Sequence, residues 1–138
     1  MFLINTNVIS EVRKGARSNP AVRAWFNYHA AQAHYLSVLT VGEIRRGVEQ
    51  LRAYDPAQAA VLEQSLTEIV AVFEGRILGI GLDVSDIWGR LCPSGRLPDV
   101  DGLMAATALR HDLVVVTRNL KDFLRSGVNV VNPWEFSG

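Results

Sequence analysis

Phe2-Leu3-Ile4-Asn5-Thr6-Asn7 decides how the rest of the chain is read. Three apolar residues run straight into three short polar ones, the mark of a buried strand that stops where amides and a hydroxyl are wanted. In an open parallel sheet, ligands sit in the crevice beyond the carboxyl ends of the strands. Asn5 and its neighbours then stand at the rim of a site, and other polar side chains must arrive at the same rim.

Further strands follow, each set off by helices. His34-Tyr35-Leu36-Ser37 reads as a second strand and Leu78-Gly79-Ile80 as a brief third. Leu113-Val114-Val115-Val116-Thr117 is a continuous β-branched run, as in a central strand covered on both faces, and Val128-Asn129-Val130-Val131 supplies the last. Helices are expected over Val8 to Arg13, from Pro20 to about Ala31, from the capping-box pattern Thr40-Val41-Gly42-Glu43 onward, over Ala57 to Phe73, over Val84 to Leu91, and through the small-residue stretch Leu103 to Leu109. In the Ala57 to Phe73 helix, Val61, Leu62, Leu66, Ile69 and Val70 are expected to turn inward. Gly15 to Pro20 and Pro93 to Pro98 read as breakers. Alternating strands and helices argue for an α/β fold: a central parallel sheet of four to five strands with helices on both faces.

At 138 residues and 49% hydrophobic composition, one domain spanning 1–138 has ample core. Fourteen basic and fourteen acidic side chains cancel, so any polyanion must be met by local placement rather than by an overall field. The lone Cys92 cannot form an intrachain disulfide and has no metal-ligand companions; it reads as a buried structural thiol in a reducing cytoplasm. The first residues enter a strand directly, with no signal-like leader, and no apolar run approaches the roughly 20 residues of a membrane span. His29, on an apolar helix face, reads as a packed side chain, and Trp25, Trp88 and Trp134 read as core or interface.

Asn5, Thr6, Asn7, Glu43, Asp99, Asp101, Asn119 and Asp122 all follow strands or open helices, which places them along one edge of a parallel sheet. Hard oxygen donors converging there suit Mg²⁺, which keeps several waters and needs few protein ligands. Helix capping is the competing account for each of them singly. Capping does not explain two acids at Asp99 and Asp101, nor the polar end of the first strand. Arg13, Lys14, Arg45, Arg46, Arg118 and Lys121 lie near the same points, as solvated charges or as phosphate contacts around an acidic pocket.

Four blocks carry a resemblance: Phe2 to Glu11, Ser37 to Glu43, Leu97 to Ala108, and Thr117 to Phe123, with a closing Val131-Asn132-Pro133-Trp134. In order and spacing they resemble the PIN-domain ribonucleases, specifically VapC toxins of the FitB-like kind, across essentially the whole chain. The resemblance implies an α/β/α sandwich and a Mg²⁺ or Mn²⁺ ion held by position 5, Glu43, Asp101 and Asp122, with Asp99 as an accessory. Thr6, Asn119 and Arg118 would orient ligands or the scissile phosphate. It further implies endonucleolytic cleavage of RNA, a homodimer, and neutralisation by a cognate VapB-like antitoxin, with DNA reached only through that antitoxin.

One position departs from the family pattern. The family has an Asp-Thr-Asn triplet at the end of the first strand, and this chain has Asn5. An amide oxygen still reaches an ion but brings no negative charge, and its NH₂ offers donors where an acceptor is wanted. Asn is nearly isosteric with Asp, so this exchange silences such a site with least disturbance. Two readings follow: a metal-dependent endoribonuclease toxin whose cleavage is weakened or lost, or a catalytically dead domain that binds RNA or an antitoxin in the same crevice. A nucleotide-binding domain is disfavoured, because no glycine-rich phosphate loop follows the first strand.

Overall fold

Phe2–Ile4 forms the first strand, β1, with all three residues buried. Side chains alternate across a strand, so Phe2 and Ile4 enter one layer and Leu3 the other. The computed structural model describes residues 1–91 and 98–138. Cys92, and the expected Pro93 to Pro98 loop apart from Pro98 itself, lie outside the described residues.

Four more strands complete the sheet: β2 (His34–Ser37), β3 (Ile77–Leu78), β4 (Val114–Val116) and β5 (Val130–Val131), in the order β3-β2-β1-β4-β5. Every pairing is parallel, with Phe2 opposite His34 on one side and Val114 on the other. The helices are α1 (Thr6–Val12), α2 (Pro20–Tyr28), α3 (Val38–Arg52), α4 (Pro56–Val72), α5 (Leu82–Leu91), α6 (Asp99–His111) and α7 (Leu120–Leu124). On one face of the sheet Phe2 and Ile4 pack with Val8, Ile9, Trp25, Ile44, Leu66 and Ile69 from α1 to α4. On the other, Leu3 and Val115 pack with Met104, Ala105 and Ala108 of α6 and Phe123 of α7. This is the expected three-layer α/β/α arrangement. Each fully buried large aliphatic side chain contributes about 1.5–3 kcal/mol to it.

Several boundaries differ from the sequence expectation for local reasons. Helix α1 begins at Thr6 rather than Val8, so β1 turns into it with only Asn5 between. The capping box expected at Thr40 is not one: Ser37 caps α3, its Oγ accepting from the Leu39 N–H at 3.0 Å, and Thr40 lies inside the helix. Strand β3 starts one residue and ends two residues before the expected Leu78-Gly79-Ile80, α5 starts two residues earlier, and α6 starts at Asp99. In α4, Leu66 and Ile69 face inward as expected, but Val61 and Val70 are exposed. Leu62, Leu66, Ile69 and Phe73 share one helical stripe, and each exposed valine lies one residue, about 100°, off it. Trp25 is buried against Phe2 and His29, which puts His29 in packing rather than ligation. Among the described residues no helix is long and apolar enough to cross a membrane.

Candidate functional site

From β1 the chain proceeds to β2 on one side, while β4 comes to lie on the other. Between the carboxyl ends of β1 and β4 the sheet therefore leaves a crevice, the usual ligand position in a doubly wound sheet. The Asn5 N–H donates to Val116 O at 2.9 Å, which carries the β1–β4 ladder one step beyond the strands and sets Asn5 beside Thr117.

Asn5 occupies the N-cap of α1, yet its side chain accepts nothing from the helix. Its Nδ2 donates instead to Thr117 Oγ1 at 3.3 Å. The same wholly buried hydroxyl receives Asn7 Nδ2 at 3.3 Å and the Asn119 N–H at 3.0 Å. Thr117 thus ties the end of β1, the start of α1 and the turn before α7 to one oxygen. Among the described residues Asn5 Oδ1 has no capping bond to α1.

Two further groups complete the rim. Thr6 Oγ1 donates to Glu43 Oε1 at 2.5 Å and lies 3.1 Å from Thr40 Oγ1, so α1 and α3 meet through hydroxyls and a carboxylate. On the other side Asn119 Nδ2 donates to Asp122 Oδ2 at 2.8 Å within the turn of α7. Asp101 sits in the first turn of α6, partly buried.

The electrostatics tie these pieces together. The Asp101 carboxyl is held above the usual aspartate range, first by burial and then by the negative charges of Asp122 and Glu43. The Asp101 carboxyl on α6 therefore lies within electrostatic reach of Glu43 on α3 and of Asp122 on α7. Asp99 is not part of this group. It is exposed, does not contribute to the Asp101 shift, and stands two residues away on the helix, a spacing that points side chains apart. Among the described residues no three His, Cys, Asp or Glu side chains are grouped so that they could hold a metal ion as they stand.

Arg118 is exposed at the same rim. Its backbone N–H donates to Asn7 Oδ1 at 3.3 Å, and its guanidinium stands over the Trp134 ring at 4.9 Å. The described residues give it no ion pair; besides the Trp134 ring, its charge reaches the Glu11 carboxyl, which it helps to lower. Neither Thr117 nor Thr40 stands out as a site residue in the sequence. The usable signal for Thr117 was its place as the polar end of an apolar strand, the same signal that marks Asn5.

The model of the PIN domain matches residues 2–127. The chain is 35% identical to "VapC ribonuclease Y4jK" of Sinorhizobium fredii, over 98% of this chain and 99% of that protein. It is 36% identical to "Toxin FitB" of Neisseria gonorrhoeae, over 97% of this chain and 99% of that one. The solved structure described as FitAB bound to an IR36 DNA fragment superposes with a TM-score of 0.86 at 33% identity, covering 100% of this chain and 99% of that chain.

Proposed function

The chain belongs to the PIN-domain family, in its VapC and FitB toxin branch, and from that premise we propose that it is a divalent-metal-dependent endoribonuclease whose turnover is weakened by Asn5. What supports this reading is the Asp101 carboxyl, raised first by burial and then by the negative charges of Asp122 and Glu43, in a parallel sheet whose carboxyl ends open a crevice between β1 and β4. Such mutual repulsion calls for a cation, and an all-oxygen donor set selects a hard one such as Mg²⁺ or Mn²⁺. Glu43, Asp101, Asp122 and the Asn5 amide would hold it, drawing together from their present spacing, with water completing the shell as Mg²⁺ usually requires. When bound, such an ion neutralises charge on a phosphodiester and makes water a better nucleophile.

The chain's own residues do the positioning. Thr117 fixes Asn5 and the Asn119 turn, Asn119 holds Asp122, and the exposed Arg118 guanidinium would meet a phosphate on the strand being cut. Asn5 lowers the formal charge of the set by one relative to aspartate, which weakens hold on the ion and control of the attacking water.

The test is Mn²⁺ binding and RNA cleavage by this chain and by Asn5→Asp. The Asn5→Asp protein is expected to bind Mn²⁺ at least about tenfold more tightly, since even outer-shell partners of a metal are worth 10–100-fold. It should also cut RNA in a chelator-sensitive way. A folded Asn5→Asp protein that binds Mn²⁺ yet leaves every RNA intact would remove the nuclease reading.

Asn5 itself favours a second reading, a silent domain that keeps RNA or a partner protein in the crevice. RNA binding without cleavage by Asn5→Asp would establish it. The FitAB structure on DNA supports a partner of the antitoxin kind for this chain too, with DNA engaged through that partner.

A further inference from the structure

We propose that Thr40 is a positioning residue for the site, holding the Glu43 carboxylate in its working rotamer through the hydroxyl of Thr6. The inference rests on the metal-site reading of Glu43 above.

The stripe that α3 presents to the core is Thr40, Ile44 and Val48, at spacings of four, all buried. Ile44 and Val48 are apolar, and a valine would fill the first position with the same shape. A hydroxyl there is costly unless it is bonded, because a buried polar group without a partner gives up its hydrogen bonds to water and gains none in return.

The other threonine buried inside a helix, Thr107, solves that problem locally, donating to Leu103 O at 2.8 Å, four residues back. Among the described residues Thr40 has no such bond, since the residue four before it lies in β2 ahead of the helix. Its recorded partner is Thr6 Oγ1, at 3.1 Å.

The direction of the chain follows from proton count. A carboxylate only accepts, so the single Thr6 hydroxyl proton goes to Glu43 Oε1 at 2.5 Å. The 3.1 Å contact must then run from the Thr40 hydroxyl to Thr6. Thr40 donates to Thr6, and Thr6 donates to Glu43. Each bond polarises the next, so the buried end strengthens the one at the rim. The Thr40 to Glu43 spacing puts both side chains on one face of α3, where the first residue of α1 meets them.

The experiment compares Thr40→Val, Thr40→Ala and Thr40→Ser, each made in this chain and in the Asn5→Asp protein, with thermal melts to establish folding. In metal-free protein, NMR three-bond couplings of Glu43 should report one rotamer in the parent and in Thr40→Ser, and averaging in Thr40→Val and Thr40→Ala. Mn²⁺ titrations on the Asn5→Asp background should show binding about 10–100-fold weaker for Val and Ala, with Ser near the parent. A folded Thr40→Val or Thr40→Ala that keeps a single Glu43 rotamer and parental Mn²⁺ affinity overturns the proposal. If the Asn5→Asp parent binds no Mn²⁺, the metal-site reading fails, and the rotamer comparison still decides the role of Thr40. Should Thr40→Val not fold, Thr40→Ala against Thr40→Ser carries the same contrast.

Discussion

Asp101 is held in a place that favours its neutral form, by burial first and by Asp122 and Glu43 next. The folded protein then binds this proton more tightly than the unfolded chain, whose aspartate titrates near the ordinary value of about 3.9. The contribution to stability is whole in acid and is lost as pH climbs from that value through the raised folded one. Asp101→Asn is expected to raise the melting temperature at neutral pH in the presence of a chelator, and the advantage should vanish below about pH 4. Equal melting curves at neutral pH would show that the acids do not strain the fold. At this scale the sequence was legible where a polar residue ends an apolar run, as at Asn5. It misled at Thr40, because a threonine three residues before a glutamate describes both a capping box and a pair sharing a helix face. Only the position of Ser37, which sets where α3 starts, tells the two apart.

Among the elements, α6 shows how composition and position work together. Gly102, Ala105, Ala106 and Ala108 are buried, so the helix presses close to the sheet and brings Asp101 to the crevice at its amino end. At its other end Asp112 adopts a left-handed conformation, φ 55° and ψ 53°, with a negative side chain at the negative end of the helix. Asn accepts this backbone conformation without the charge. Asp112→Asn should therefore stabilise the protein by about 0.5 kcal/mol, with a gain that shrinks as salt is added. Urea unfolding at two salt concentrations measures both. Helices such as α4 were legible as elements, because Leu66 and Ile69 recur at helical spacing. Which valines joined the buried stripe was not, since Val61 and Val70 are as apolar as the residues that did.

For the molecule as a whole, alternating strands and helices were enough to foresee a parallel sheet with two covered faces. The central place of β1 was not legible, because no local pattern says that Phe2 lies opposite Val114. That pairing governs how the protein is made. A ribosome adding about 5–20 residues per second releases the first strand several seconds before the one that must lie beside it. Until then Asn5 and Asp122 have no common crevice to occupy. Stalled nascent chains that end before Val116 clears the exit tunnel should yield no protease-resistant core and no Mn²⁺ binding. On the nuclease reading proposed above, the growing polypeptide would be harmless to the RNA being translated beside it, and a neutralising protein would have the whole of that interval to be waiting.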